Sequence, residues 1–390
     1  MSLERPMPGD EGALVYPAWS TIGAVQHVRK NAASDKRISI LAAADGATDP
    51  AQELKDLVQS DLFAWWNRNA RDLPWRFGRT TPWGVLISEV MSQQTQMSRV
   101  VPYWLAWMAV WPDAASLAQA STAEVITAWG RLGYPRRALR LQECARVVAQ
   151  RYDNELPRTY DELLALPGIG DYTASAVMSF AFGSPIAVID TNIRRVLSRV
   201  FSGLESHGGS ATKQERELAE RVLPKEAKAS VTWNQSVMEL GATVCTAKNP
   251  LCEQCPLADS CAFLAAGRPE LGERRTRPRQ RFQGTNRQVR GMILHALRGL
   301  GAGEARAVEA NAKIMDTAKV SIGESGAVKM DAVRKGSAQT SAAATADKSL
   351  PRDQVEALWS DHVQLDLCIA SLDEDGLIEI LPDQSLRLPQ

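Results

Sequence analysis

Four cysteines fall within one short stretch, Cys245-x6-Cys252-x2-Cys255-x5-Cys261, in a chain of 390 residues that has only six. Soft thiolates gathered in one loop suit an iron–sulfur cluster or a structural zinc, whose ligand sets overlap. Zinc ribbons usually show two Cys-x2-4-Cys knuckles and this loop has one, so the 6-2-5 spacing favours a cubane cluster, with zinc the open alternative. Cys144 and Cys368 stand alone and read as buried structural residues. Six cysteines are too few for a disulfide scaffold.

Two carboxylates are placed for chemistry. Glu89 lies in Ile87-Ser88-Glu89-Val90-Met91, and such apolar neighbours predict a carboxyl group at the mouth of a pocket, where burial keeps it protonated as a general acid. Gln93 and Gln96, at i+4 and i+7, are expected to share its helical face. Asp190 ends the apolar run Ile186–Ile189 and precedes a helical pattern. Its local sequence favours an N-cap, a role compatible with catalysis because a capped carboxylate stays open to a ligand.

A third feature is Leu166-Pro167-Gly168-Ile169-Gly170 between two helical stretches. Gly168 and Gly170 permit positive φ and close backbone approach, and the following helix would offer free N–H groups to a phosphate. A tight turn between helices is the bland reading; the Leu-Pro before it and the small-residue helix after it favour a helix–hairpin–helix gripping a DNA phosphate without regard to sequence.

These residues need a helical frame, and the periodicity supplies one. Apolar positions recur at helical spacing through Val58, Leu62, Trp65 and Trp66, and again through Leu86, Val90, Met97 and Val101. Further helices are expected over 122–132, 137–151, 160–166, 172–182, 192–201, 213–222 and 230–244, with strand-like alternation nearly absent. The region is all-α. Residues 1–53 read as a mostly disordered extension with a short periodic stretch at 16–28, residues 54–265 as the helical core, and 266–286 as an Arg-rich linker. Residues 287–390 read as a small α+β winged-helix-like unit, interrupted by a disordered Ala, Gly, Ser and Lys-rich insertion at 299–349. Net charge is zero overall, yet residues 54–290 carry 30 basic and 23 acidic side chains, leaving both flanks acidic. A nucleic-acid partner for the middle segment is consistent with that split. No run of eighteen apolar residues occurs and the first residues lack a secretory pattern, so neither a membrane span nor export is expected, and a cytoplasmic, nucleoid-associated location is.

Taken in order, Leu73-Pro74-Trp75-Arg76, Ser88–Thr95, Gly130-Arg131-Leu132-Gly133-Tyr134, Leu166–Ala174, Ile189-Asp190-Thr191-Asn192 and Cys245–Cys261 resemble the helix–hairpin–helix DNA glycosylases with an iron–sulfur cluster. More narrowly, the chain resembles the MutY-type adenine DNA glycosylases in their short actinobacterial form. The resemblance covers about residues 54–265, with a weaker likeness in 281–290 and the C-terminal unit. It implies a two-lobed core, a 4Fe-4S cluster on the four cysteines, and a monomer that acts on double-stranded DNA containing adenine opposite 8-oxoguanine or guanine.

The resemblance also implies roles. Glu89 protonates adenine N7 and later activates water, Asp190 stabilises or captures the oxocarbenium-like sugar, and Tyr172 and Asn192 support both through hydrogen bonds. Gln94 and Tyr134 wedge into the stack beside the lesion, with Gln93 also among the DNA-binding residues; Trp75, Arg76 and Gln235 lie near the adenine pocket, and the cluster loop presents Lys248 to the backbone. Endonuclease III, a near relative, has a Schiff-base lysine where this chain has Tyr172 and an apolar residue in place of Glu89; both differences point to a monofunctional glycosylase. Three departures stand out: Pro135 follows Tyr134 where a second Tyr is usual, Thr191 follows Asp190 in place of Gly, and no MutT-like β-rich domain is legible in 266–390. Rival readings are a thymine or other mismatch glycosylase of the same fold, a catalytically silent damage binder, and a zinc-binding DNA adaptor.

Overall fold

The computed structural model describes residues 49–206, 209–271, 281–300 and 349–390. The expected extension before residue 49, residues 272–280 of the Arg-rich linker and nearly all of the 299–349 insertion lie outside them. Fifteen α-helices lie among the described residues. Asp49 caps α1 (Pro50–Asn69) by accepting from Ala51 N–H at 3.0 Å, so this helix starts four residues before the expected core boundary. Thr81 caps α2 (Pro82–Ser92) and Pro82 occupies its first turn, where no N–H is needed. Next come α3 (Met97–Val110), α4 (Ala114–Gln119) and α5 (Thr122–Trp129). Reciprocal capping boxes, Asp113 with Ser116 and Ser121 with Glu124, start the last two. Then α6 (Arg136–Arg151), α7 (Tyr160–Leu164) and α8 (Asp171–Phe180) follow, with the Leu166–Gly170 turn between α7 and α8.

Asp190 caps α9 (Thr191–Leu197), which continues into a π-turn at Ser198–Ser202. The remaining helices are α10 (Lys213–Val222), α11 (Ala227–Thr243), α12 (Ala262–Ala265), α13 (Asn286–Leu300), α14 (Arg352–Glu356) and α15 (His362–Glu374). Strands among the described residues are β1 (Glu379–Ile380) and β2 (Leu386–Arg387), antiparallel with Glu379 opposite Arg387, and Leu350 bridges to Leu386. None of the described helices is long and apolar enough to cross a membrane.

The chain divides into two compact units. The first comprises the described parts of Met1–Arg71 and Thr232–Arg274, with Ile189–Pro224; the second comprises Asp72–Val188, Lys225–Val231 and the described part of Arg275–Gln390. In the second unit a core of tryptophans and aliphatics, including Trp83, Leu86, Met91, Trp104, Trp107 and Trp129, holds α2 to α8 together. Trp107 meets Trp111 and Trp129 edge-to-face at 4.8 and 5.5 Å, the arrangement aromatic quadrupoles favour. A second core joins α13, α15 and the hairpin through Val289, Ile293, Leu365, Ile369 and Leu386, and includes Ile126 of α5.

Candidate active site

In the second unit, the apolar α2 carries Glu89 in a helix whose every residue from Trp83 to Met91 is buried. Glu89 is 8% exposed, and Tyr172 Oη donates to its Oε2 at 2.6 Å from the second position of α8. A buried carboxyl group thus has a neutral hydroxyl donor on one oxygen, as its chemistry requires. Gln93 does not continue that helical face, contrary to the sequence expectation. The helix ends at Ser92, Gln93 takes an extended ψ of 114°, Gln94 turns left-handed at φ 55°, and Gln96 stands at the N-cap position of the next helix without a side-chain cap hydrogen bond. The reason is tertiary: Arg137 Nη1 donates to the carbonyls of Val90 at 2.6 Å and Gln93 at 2.8 Å, which satisfies helix-end acceptors without another turn. Gln93 Nε2 reaches Thr173 Oγ1 at 3.4 Å instead.

Gln94 and Tyr134 are exposed, Tyr134 by 51%, and both take left-handed backbone that non-glycine residues rarely adopt. The guanidinium groups of Arg137 and Arg287 each lie 5.7 Å from the Tyr134 ring. Trp75 packs 5.5 Å from Trp104, and Arg76 is buried. In the hairpin the two glycines differ. A Cβ on Gly168, at φ 76°, would meet Arg140 Cβ of α6 at 2.8 Å, so that glycine is required by packing. A Cβ on Gly170 would meet nothing within 4 Å, and no side chain caps α8 at this position. The open approach to the helix N-terminus is therefore at Gly170.

In the first unit, Asp190 Oδ1 accepts from Ile193 N–H at 2.6 Å and Oδ2 from Asn192 Nδ2 at 2.9 Å. Capping and orientation are both present. Burial pushes the Asp190 pKa above the usual carboxylate value, against the pull of Ile193 N–H, Asn192 and Arg195. Arg195 donates to Asn192 Oδ1 at 2.7 Å, to Gly241 O at 2.6 Å and to Cys245 O at 2.8 Å, so one side chain ties the Asp190 turn to the cysteine loop. A Cβ on Gly241 would meet Asn192 Cβ at 2.7 Å, which is why α11 can pass so close only with glycine there. Gln235, on α11, is half-buried, and Lys248 is exposed on the loop.

All four loop cysteines line one cavity, walled by Leu240, Leu251 and Phe263. Four thiolates on one cavity supply the donor set a polynuclear cluster needs. Arg199 Nη1 lies 3.4 Å from Cys245 Sγ and its Nη2 bonds Glu205 at 2.6 Å, so a buried cation faces the thiolates. Burial pushes the Cys255 thiol up to about 12, a cost that metal ligation of the thiolates removes. The residues fit a 4Fe-4S cluster.

Sequence reasoning missed Arg137, Arg195 and Arg199. A signal existed for the last two, since they sit four residues apart within the apolar register of Ile193, Val196, Leu197 and Val200.

The helical fold with its cysteine-rich loop goes with a class: the HhH-GPD superfamily of base excision DNA repair proteins, whose model matches residues 87–224. The iron–sulfur binding domain of endonuclease III matches residues 245–261, and the chain's cofactor is a 4Fe-4S cluster. Relatives named adenine DNA glycosylase include one of Mycolicibacterium smegmatis, 48% identical over 61% of this chain and 79% of its own length. Another, of Mycobacterium tuberculosis, is 43% identical over 68% of this chain and 86% of its own. A thermostable thymine-DNA glycosylase of known structure is 29% identical with a TM-score of 0.51, over 56% of this chain and all of its own. The chain belongs to the adenine DNA glycosylase family.

Proposed function

We propose that this adenine-specific DNA N-glycosylase of base excision repair acts, as a monomer, on adenine mispaired with 8-oxoguanine or guanine in double-stranded DNA. The observation that carries the reading is the 2.6 Å bond from Tyr172 Oη to buried Glu89. The adenosine is flipped from the stack at a cost of a few kcal/mol, which a mismatch lowers. Glu89 gives its proton to adenine N7 while the C1′–N9 bond breaks and its electron pair leaves with the base. The Asp190 carboxylate stabilises the cationic sugar or bonds to it, as paired carboxylates do in glycoside hydrolysis. Glu89, now ionised, takes a proton from the water that attacks C1′.

Tyr172 and Asn192 orient the two carboxylates. Gln93, Gln94 and Tyr134 contact the stack, Trp75, Arg76 and Gln235 line the adenine pocket, and Gly168, Gly170 and Lys248 face the backbone. Tyr172 has no amine, so no Schiff base forms and the strand is left uncut. Cys245, Cys252, Cys255 and Cys261 would hold the cluster, which would cross-link the loop that carries Lys248. Glycosylase core 54–265, linker 266–286 and unit 287–390 remain our division of the chain, and the cytoplasmic nucleoid our location for it. The test is base release from duplexes holding A:8-oxoguanine, A:G and T:G: adenine from the first two and no thymine supports the reading. Thymine release would favour the mismatch-thymine alternative, and tight binding without release a silent binder.

A further inference from the structure

Arg137 is absent from the chemistry just described, yet its guanidinium makes six polar contacts. Nη1 donates to the carbonyls of Val90 at 2.6 Å, Met91 at 3.3 Å and Gln93 at 2.8 Å. Nη2 reaches Thr95 Oγ1 at 3.2 Å, Leu132 O at 3.5 Å and Gly133 O at 3.0 Å. The first set belongs to the end of α2 and the turn after it; the second includes the turn between α5 and α6. Thr95 Oγ1 also lies 3.2 Å from Leu132 O, a second link between the same two turns. The guanidinium carbon stands 5.1 Å from the Trp129 ring and 5.7 Å from the Tyr134 ring, so its plane is fixed between aromatic faces.

The two turns Arg137 joins are those that hold Gln94 at φ 55° and Tyr134 at φ 48°. Left-handed backbone at non-glycine positions persists only where surrounding contacts over-determine it. Two independent exposed tips, each in that conformation and each bonded at its base to one guanidinium, form a single preorganised device. We propose that Arg137 is a positioning residue that locks Gln94 and Tyr134 as a two-pronged wedge, so that its planar fork sets how readily the enzyme unstacks the target base. The inference rests on the wedge roles of Gln94 and Tyr134 proposed above. Lysine keeps the charge but presents a point donor that cannot span both turns.

The experiment uses the full-length, cluster-loaded protein and two duplexes. In one the target adenine faces 8-oxoguanine; in the other it sits in a one-base bulge, already unstacked. Adenine release is followed in single turnover, with a 2-aminopurine neighbour reporting unstacking in the paired duplex. Arg137→Lys is expected to slow release from the mispair by about 30-fold or more, the scale of a misplaced catalytic constellation, and from the bulge by under about threefold. Thr95→Val, a milder change, is expected to give the same split at about threefold. Equal slowing on both duplexes would mean general damage to α2 and Glu89 and would overturn the proposal; so would an unchanged rate on the mispair. Tyr134→Ala and Gln94→Ala separate the underlying reading. If neither alters the 2-aminopurine signal, the wedge assignment itself fails. If they abolish it while Arg137→Lys does not, the clamp alone is wrong.

Discussion

Glu89 and Tyr172 make a pair whose strength is testable one atom at a time. Tyr172→Phe removes the donor to Glu89 Oε2 and should slow adenine release by about tenfold, the equivalent of about 1–2 kcal/mol for a hydrogen bond to an ionisable group, in single-turnover assays. Asp190 separates capping from catalysis. Asparagine caps a helix as well as aspartate, so Asp190→Asn should abolish release without lowering Tm, whereas Asp190→Ala should also lose about 1 kcal/mol of stability. The pH dependence follows from the sign of its shift. Burial raises the folded-state pKa, so the native state holds the proton more tightly than the unfolded chain. The stability this contributes is present at low pH and is lost as pH rises through the folded value. The rate runs the other way, because the proposed mechanism works through the carboxylate: release should fall with acid at a pH above the ordinary 3.8, and thermal melts of Asp190→Asn should lack the wild-type loss between the two values. Glu89 and Asp190 were legible because their types stood out against apolar neighbours. Arg137 was not, since three of its carbonyl partners lie some 44 to 47 positions away in sequence and no residue type advertises a carbonyl.

At the level of elements, the caps made the frame readable. Ser121 with Glu124 and Thr212 with Glu215 mark helix starts that local chemistry alone dictates. The end of α2 was unreadable for the opposite reason, because the carbonyls there are satisfied from α6 rather than by neighbouring residues of the helix. The hairpin gives a contrast between two glycines that look alike in sequence. Gly168→Ala must place a Cβ against Arg140 in left-handed backbone, and should cost about 1–3 kcal/mol in a denaturation experiment. Gly170→Ala meets open space and normal backbone; it should melt like wild type while weakening DNA affinity in a binding titration, since its methyl group would occupy the approach to the α8 N-terminus.

For the whole molecule, the neutral total conceals a basic middle with acidic flanks, and it is the middle that holds the hairpin, both carboxylates and the cluster loop. DNA affinity should therefore fall linearly in log–log form with salt. Arg287 stands exposed over Tyr134, so Arg287→Ala should reduce the salt slope by about one. A small α+β unit was legible at the C-terminal end; that Ile126 of α5 joins its core was not, because no local pattern encodes which surface a small apolar unit will cover. The central claim is that Glu89 drives adenine loss by proton transfer, and one comparison tests it most directly: single-turnover adenine release from an A:8-oxoguanine duplex by wild type and Glu89→Gln. Glutamine keeps the shape and the contact with Tyr172 but cannot deliver the proton, so release by wild type and none by the variant, with binding retained, is the predicted result. Release by Glu89→Gln at the wild-type rate would contradict it.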